Sequence, residues 1–501
     1  MLMLQVLPTI PSALRAVAAL IVTGLFYVVA QCIYLLYFHP LAKYPGPRFA
    51  ALSTVWKKQS DAGGKHVFVM EELHRKYGDI VRIGPNDLSF ANVDAYRDIY
   101  GHVGQDKKRF LKTAMYEREE PRIVSVRDPA EHAVQRRALS HAFSARALRD
   151  QEVVVHQYVD MLLQQFGNLG ENGKKGVNVT NAMNWLTFDI IGDLSFGESF
   201  GAIAQASNEW ITGIMDWVIY MSLGYYMKKS LFMRLLLPMI WGPKLKNMAG
   251  TADKYSTMAK KKAEKRLEMG DSIDRVDFFG HLIKKKEIDA QYLMGNAQTL
   301  IIAGSETTAT GLASTMFWLT KYPEVLAKLT QEIRTTFKDV SEITGDSTAD
   351  CHYLHGVIEE ALRISPPVAI GLPRECPGTL IMGEYIPQGV TVSCENYAIA
   401  RDPRYWEKPE EFIPERWIGE GFAGDNKKAF QPFSTGPRAC LGINLAYLEM
   451  RVMLAKMLHV YDLELETKGI DDWNHACRIM GLWEKPDYFV KFHPRQEAGE
   501  A

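Results

Sequence analysis

The chain begins with a long apolar run: residues 16–38 are 23 positions without a formal charge. At helical rise such a run covers the roughly 30 Å of bilayer hydrocarbon, so the pattern predicts a transmembrane helix. It is too long for the apolar core of a secretory signal peptide, and no small-x-small cleavage site follows it. His39-Pro-Leu-Ala-Lys-Tyr-Pro-Gly-Pro47 comes next, and its three prolines predict a stiffened exit from the membrane. Residues 71–77 then read as helix, and Gly78-Asp-Ile-Val-Arg-Ile-Gly84 as a short alternating strand between glycines. From residue 129 to about 350 apolar positions recur at helical period with few strand signals, and residues 292–322 form a long apolar helical stretch. Strand-like pieces return between Thr379 and Val392, around Gly383, Pro387 and Gly389. There is no internal repeat and no low-complexity block. The pattern predicts a mainly α body with small sheets near each end. Its expected organisation is an anchor over residues 1–38, a proline-rich hinge over 39–49, and one large domain over 50–501.

Residues 210–248 are unusually apolar and aromatic, broken at Lys228-Lys229 with Arg234 beyond. They read either as a pair of core helices or as a surface that dips into the membrane near a substrate entrance. Asp216, the lysines and Pro238 oppose a second full span. Composition changes this picture little. A hydrophobic content of 47% supports a large core, and a net charge of −1 gives no electrostatic case for nucleic acid. The six cysteines (Cys32, Cys351, Cys376, Cys394, Cys440, Cys477) are scattered and lack C-x-x-C spacing, which excludes a disulfide framework and a zinc module. Reduced thiols and a cytosol-facing body follow. Arg15 precedes the apolar run whereas Lys43, Arg48, Lys57, Lys58 and Lys65 follow it, which orients the body to the cytosol by the positive-inside rule. The sequon Asn178-Val-Thr180 is therefore expected to stay unmodified.

The candidate chemistry is concentrated in Phe433-Ser-Thr-Gly436-Pro-Arg438-Ala-Cys440-Leu-Gly442. One cysteine sits in a tight glycine-flanked turn, with an arginine two positions upstream and an aromatic seven upstream. An iron-bound thiolate needs such a setting: nearby N–H groups to share its charge, and a pocket that excludes water. Gly436 and Gly442 would let the backbone approach a flat macrocycle, and Phe433 would cover the sulfur. The alternative is a buried structural cysteine in a turn. A second feature lies in the apolar helical stretch, Ala303-Gly304-Ser-Glu306-Thr307-Thr308. Polar groups inside such a helix are costly without partners. They read as a kinked helix with satisfied hydroxyls or as a small-residue groove backed by an acid–hydroxyl proton relay. In the second reading Ala303 and Gly304 open the groove, Thr307 bonds the reactant and Glu306 passes protons.

The spacing F-x-x-G-x-R-x-C-x-G resembles the haem-binding signature of the cytochrome P-450 superfamily. Ala303 to Thr308 is similar to its distal-helix pattern. Glu360-Ala-Leu-Arg363 and Pro414-Glu-Arg416-Trp417 match its E-x-x-R and later arginine motifs, in family order. The resemblance implies haem b with Cys440 as its iron ligand and a buried structural network of Glu360, Arg363 and Arg416. Arg438, Arg374 and the His132-x-x-x-Arg136 pair are then the candidate partners of the haem propionates. It also implies a lipophilic substrate, O2, and electrons from NADPH through a separate membrane-bound reductase, with cytochrome b5 as a further donor. The reductase would dock on the cysteine side, where Arg137, Lys427 and Lys428 are candidates. Substrate contacts would lie at residues 368–372, on the distal helix before Thr307, and near Ile479-Met480-Gly481.

Phe38 to Pro47 and Leu482-Trp-Glu-Lys-Pro486 resemble filamentous-fungal members, which often tailor terpenoid, alkaloid or polyketide products and in some cases hydroxylate aromatic acids. The implied reaction is hydroxylation or epoxidation by a single-pass enzyme of the endoplasmic reticulum membrane. Desaturation or oxidative coupling on the same fold is the competing expectation, and a non-enzymatic haem protein is a third.

Overall fold

A computed structural model of the chain describes residues 12–104, 108–117, 122–207, 209–229, 231–270, 277–280, 290–419 and 421–495. The start of the expected anchor, residues 1–11, and the end of the chain, residues 496–501, lie outside them. The apolar run forms α1 (Ser12–Ile33), which passes into a wider helical turn over Tyr34–Phe38. Residues Arg15–Phe38 are apolar and long enough to cross a bilayer, and none of that stretch is buried against the body.

Helices dominate the remainder. They include α2 (Pro129–Ser140), α3 (Ala145–Leu169), α4 (Val179–Phe196), α5 (Glu209–Lys229), α6 (Leu231–Met269), α7 (Ala290–Lys321), α8 (His352–Ile364) and α9 (Ile443–Val460). Helix α7 runs through the centre of the body, and its boundaries follow the apolar period of the sequence. Helix α4 packs on it and is buried on almost every face, as expected of a helix that is apolar all round. Helix α2 starts at an Asp128 cap whose carboxylate accepts the Glu131 N–H at 2.7 Å, with Pro129 at the first helical position.

The aromatic segment 210–248 divides between α5 and α6. Ile211, Ile214 and Met248 enter the core, whereas Leu235 and Met239 are exposed, so the segment carries features of both expected readings. The side chains of Trp210, Lys228 and Lys229 lie outside the description.

Among the described residues the largest sheet has five strands: β1 (Ile80–Gly84), β2 (Asp87–Phe90), β3 (Leu111–Lys112), β4 (Arg374–Glu375) and β5 (Thr391–Cys394). Their order is β1-β2-β5-β4-β3; β2 and β5 pair in parallel and the other neighbours are antiparallel. The register sets Lys112 opposite Arg374. Residues opposite each other in an antiparallel pair share a face, so the sheet places two cations side by side. A smaller sheet pairs Phe489–Pro494 with Tyr461–Leu465 and with Val177–Asn178. It carries the C-terminal segment alongside α7, where the Tyr488 hydroxyl donates to the Ala313 carbonyl at 2.7 Å.

Candidate functional site

Four parts of the chain meet around a cavity of about 360 Å³: the wall of α7, the 432–442 loop, the 367–374 segment, and α2 with the strand before it. The loop supplies Phe433, Arg438, Cys440 and Gly442; α7 supplies Ala303, Gly304 and Thr307; His132, Arg136 and Arg374 complete the set. Gly436 lies in the loop outside this wall. Its φ is +73°, and a Cβ there would stand 2.2 Å from the Tyr100 carbonyl oxygen, so glycine is required where the loop crosses the 100–101 backbone. That close approach is to protein, not to a macrocycle as the sequence led us to expect. At Gly442, which lines the cavity, a Cβ would meet no protein atom within 4 Å.

The Cys440 N–H donates to the Phe433 carbonyl at 2.7 Å, which closes the turn. The sulfur opens onto the cavity. Surrounding burial pushes the thiol up, while the Gly442 amide and the Arg136 guanidinium pull it down. Arg136 also donates to the Ala439 carbonyl at 2.6 Å, tying α2 to the loop.

The basic side chains form a cluster: among the described residues no aspartate or glutamate lines the cavity, and Asp128 acts on Arg438 from outside that wall. Lys112, which sequence reasoning missed, belongs to it. Burial and the charges of Arg438 and Arg374 pull its ammonium down to about 6. Burial and the same cations hold the His132 imidazole down at about 3, so it is neutral near pH 7. Arg438 is lowered to about 10, by burial and then by Arg374. Lys112 donates to the Val124 carbonyl at 2.7 Å, and Arg438 to the carbonyls of Val126 at 3.0 Å and Arg127 at 2.8 Å. These bonds fix the two side chains in place; Lys112, at about 6, is largely neutral near pH 7. A cavity of about 550 Å³ shares His132, Arg136, Arg374 and Arg438 with the first. Together, an open thiol and a set of basic side chains, with no carboxylate in the wall among the described residues, fit a flat dianionic prosthetic group with an iron centre.

On α7 the two expected relay residues diverge. Thr307 lines the cavity, and its hydroxyl donates to the Ala303 carbonyl at 2.6 Å. Glu306 does not line it. Its carboxylate pairs with Lys485 at 2.7 Å, each side chain 3% exposed, and Lys485 also reaches Thr310 Oγ1 at 3.4 Å. The one-residue step rotates Glu306 about 100° from Thr307, towards the C-terminal segment. Gly304 answers to packing: a Cβ there would lie 2.5 Å from Ile191 Cδ1 on α4.

Behind the loop, Glu360 binds Arg363 through two bonds of 2.8 Å and Arg416 at 2.9 Å, all fully buried. Trp417 Nε1 and the Ile413 N–H donate to the same carboxylate, each at 2.9 Å. Asp425, another residue missed in the sequence, pairs with Arg416. Of the expected substrate contacts, Val368, Leu372, Thr299, Leu300, Ala303 and Gly304 reach the cavity wall. Ile479, Met480 and Gly481 are not in that wall; a Cβ on Gly481 would instead approach Val218 of α5 at 3.3 Å. Arg137, Lys427 and Lys428 are exposed.

The cytochrome P-450 family profile matches residues 44–492, about nine-tenths of the chain. This protein belongs to the cytochrome P-450 family. The cytochrome P-450 monooxygenase BOA3 of Botryotinia fuckeliana is 40% identical over 96% of this chain and 97% of its own length. The cytochrome P-450 monooxygenase poxC of Penicillium oxalicum is 36% identical over 94% and 93%. The trichothecene C-15 hydroxylase of Fusarium sporotrichioides is 36% identical over 94% and 97%. The protein is thus a cytochrome P-450 monooxygenase, and its family implies a haem-thiolate cofactor, O2 and a reductase partner.

Proposed function

We propose that this cytochrome P-450 hydroxylates or epoxidises a lipophilic small molecule of terpenoid, alkaloid or polyketide class in fungal secondary metabolism. The observation that carries the proposal is one cavity wall that unites the Cys440 thiol, a cluster of basic side chains and the Thr307 hydroxyl. Bound there, haem supplies dioxygen activation and a strong oxidant, with electrons drawn from NADPH through a separate reductase. Cys440 would hold the iron through its thiolate, with the Gly442 amide and Arg136 sharing the thiolate charge. Lys112, Arg136, Arg374 and Arg438 offset the propionates, and neutral His132 adds a hydrogen bond. The Thr307 hydroxyl already donates to a backbone carbonyl, so it presents its lone pairs to the cavity and can hold a proton donor over it. Glu306, gripped by Lys485 behind Thr307, serves proton transfer once that grip relaxes. Ile123, Val124, Leu300, Val368 and Leu372 give the wall an apolar face that selects a lipophilic ligand.

The apolar helix anchors the enzyme, single-pass, in the endoplasmic reticulum membrane with the body in the cytosol. Exposed Leu235 and Met239 add a further lipid contact. The reductase, and cytochrome b5 as a second donor, dock near Arg137, Lys427 and Lys428. The relative named for hydroxylating a trichothecene supports oxygen insertion into a natural-product skeleton. Comparing metabolites of the native host carrying the intact protein or Cys440→Ala tests the proposal. The variant should accumulate a precursor one oxygen lighter than the lost product. A precursor heavier by two hydrogens would replace oxygen insertion with desaturation or oxidative coupling.

A further inference from the structure

Phe433 reaches Cys440 in two ways. Its carbonyl accepts the Cys440 N–H at 2.7 Å, and its ring lines the cavity onto which the sulfur opens. That ring packs on Tyr447 of α9, with centroids 5.2 Å apart and planes at 46°. Tyr447 is tied in turn to α8, its hydroxyl donating to Glu359 Oε1. Glu359 is 6% exposed and stands next to the Glu360 network without joining it.

We infer that Tyr447, anchored by Glu359, is a positioning residue for the cysteine loop: it holds the Phe433 ring against Cys440 and so sets how readily the bound haem is reduced. This rests on haem binding at Cys440. The apolar shell around a metal-bound sulfur controls water access and local dielectric, and with them the reduction potential. A phenylalanine has no polar handle of its own. A tyrosine tilted against it supplies one.

The strength of that handle depends on protonation, because a carboxylate accepts the phenol hydrogen in a charge-assisted bond stronger than a neutral one. Burial pushes the Glu359 carboxyl up to about 7, against the pull of the Tyr447 hydroxyl and of Lys427. The other charged groups facing the pair are His355 on α8, 3.9 Å from Glu359, and Arg451 on α9. Glu152 and Asp346 face Arg451 across the groove that Tyr447 lines. As pH rises through neutrality Glu359 ionises and the grip on Tyr447 tightens. A firmer, drier cover and an added negative charge both disfavour the more negative reduced state, so the potential falls.

The test is the midpoint potential of the full-length, haem-loaded protein between about pH 6 and 8. Wild type, Glu359→Gln and Tyr447→Phe are compared, each checked for the carbon monoxide band of a thiolate-ligated haem. The wild-type potential should fall across this range; Glu359→Gln should lose that slope and Tyr447→Phe should keep only the part due to the Glu359 charge, both retaining the band. Tyr447→Phe preserves the tilted ring contact and removes only the hydroxyl. A wild-type profile without slope, or either variant retaining the wild-type slope, overturns the inference. A wild type with no thiolate-type band overturns instead the haem-thiolate assignment beneath it.

Discussion

Lys112 is 7% exposed and opposite Arg374 in the sheet, and burial first, then the charges of Arg438 and Arg374, pull its ammonium down to about 6. Two propionates beside it would offset the repulsion and attract its charge, raising it towards, at most, the ordinary lysine value of about 10.4. Haem binding then takes up a proton anywhere between those limits, and by linkage the affinity falls as pH rises. From pH 7 to 9 the loss should approach, at most, about tenfold per unit, and Lys112→Met should flatten it. Competition with a haem scavenger at several pH values measures this, and a wild-type affinity constant over that range would sink the idea. The second residue-scale case is Lys485. Lys485→Met leaves the Glu306 carboxylate buried and unpaired, a loss of about 3–5 kcal/mol, and adding Glu306→Gln should recover most of it. Urea unfolding of the single and double variants reads the difference; equal stabilities would show that the pair carries no such weight. Cys440 was legible because its whole signature fits in ten consecutive residues. Lys485 was not, because its partner stands 179 positions away and only the folded C-terminal segment brings them together.

Helices α4 and α7 pack together with Gly304 against Ile191. Gly304→Ala forces a methyl into a gap of 2.5 Å, an overpacking that costs about 1–3 kcal/mol. Ile191→Ala empties the same spot and carries its own cavity cost. The two changes share one contact, so the double variant should be more stable than the summed single losses imply, and additive unfolding free energies would refute the contact's importance. The sequence showed that Ala303-Gly304 is small, and it showed the helix itself over nearly its full length, since period alone encodes both. It did not show why position 304 is small, because the reason is a side chain on another helix. The same limit applies to the large sheet. Strand β2 pairs in parallel with β5, some three hundred residues on, and no local pattern announces that crossover or the cation pair at its far edge.

Across the whole molecule, the remaining question is how an apolar helix that touches little of the body is held to it. Arg82 of β1 joins them. Its guanidinium donates to the Leu35 carbonyl in the wide turn at 2.7 Å and to the Pro85 carbonyl at 2.7 Å, and its N–H donates to the Pro45 carbonyl at 2.7 Å. A Cβ on Gly46 would lie 2.2 Å from the Arg82 carbonyl, so the backbone after the anchor runs directly against the strand. Leu41 is fully buried in the cluster that contains Phe90 and Trp406. Burying such a leucine is worth about 2 kcal/mol, whereas the exposed Lys43–Glu384 pair adds little. Residues 39–47 are therefore bonded into the body although they read as a hinge, and truncation separates the two roles. Removing residues 1–38 should release the protein from the membrane pellet with its haem spectrum and urea midpoint intact. Removing residues 1–48 also deletes Leu41 and the Pro45 carbonyl, and should lower stability by about 2–4 kcal/mol. Equal midpoints for the two truncations would mean that this segment is only a tether.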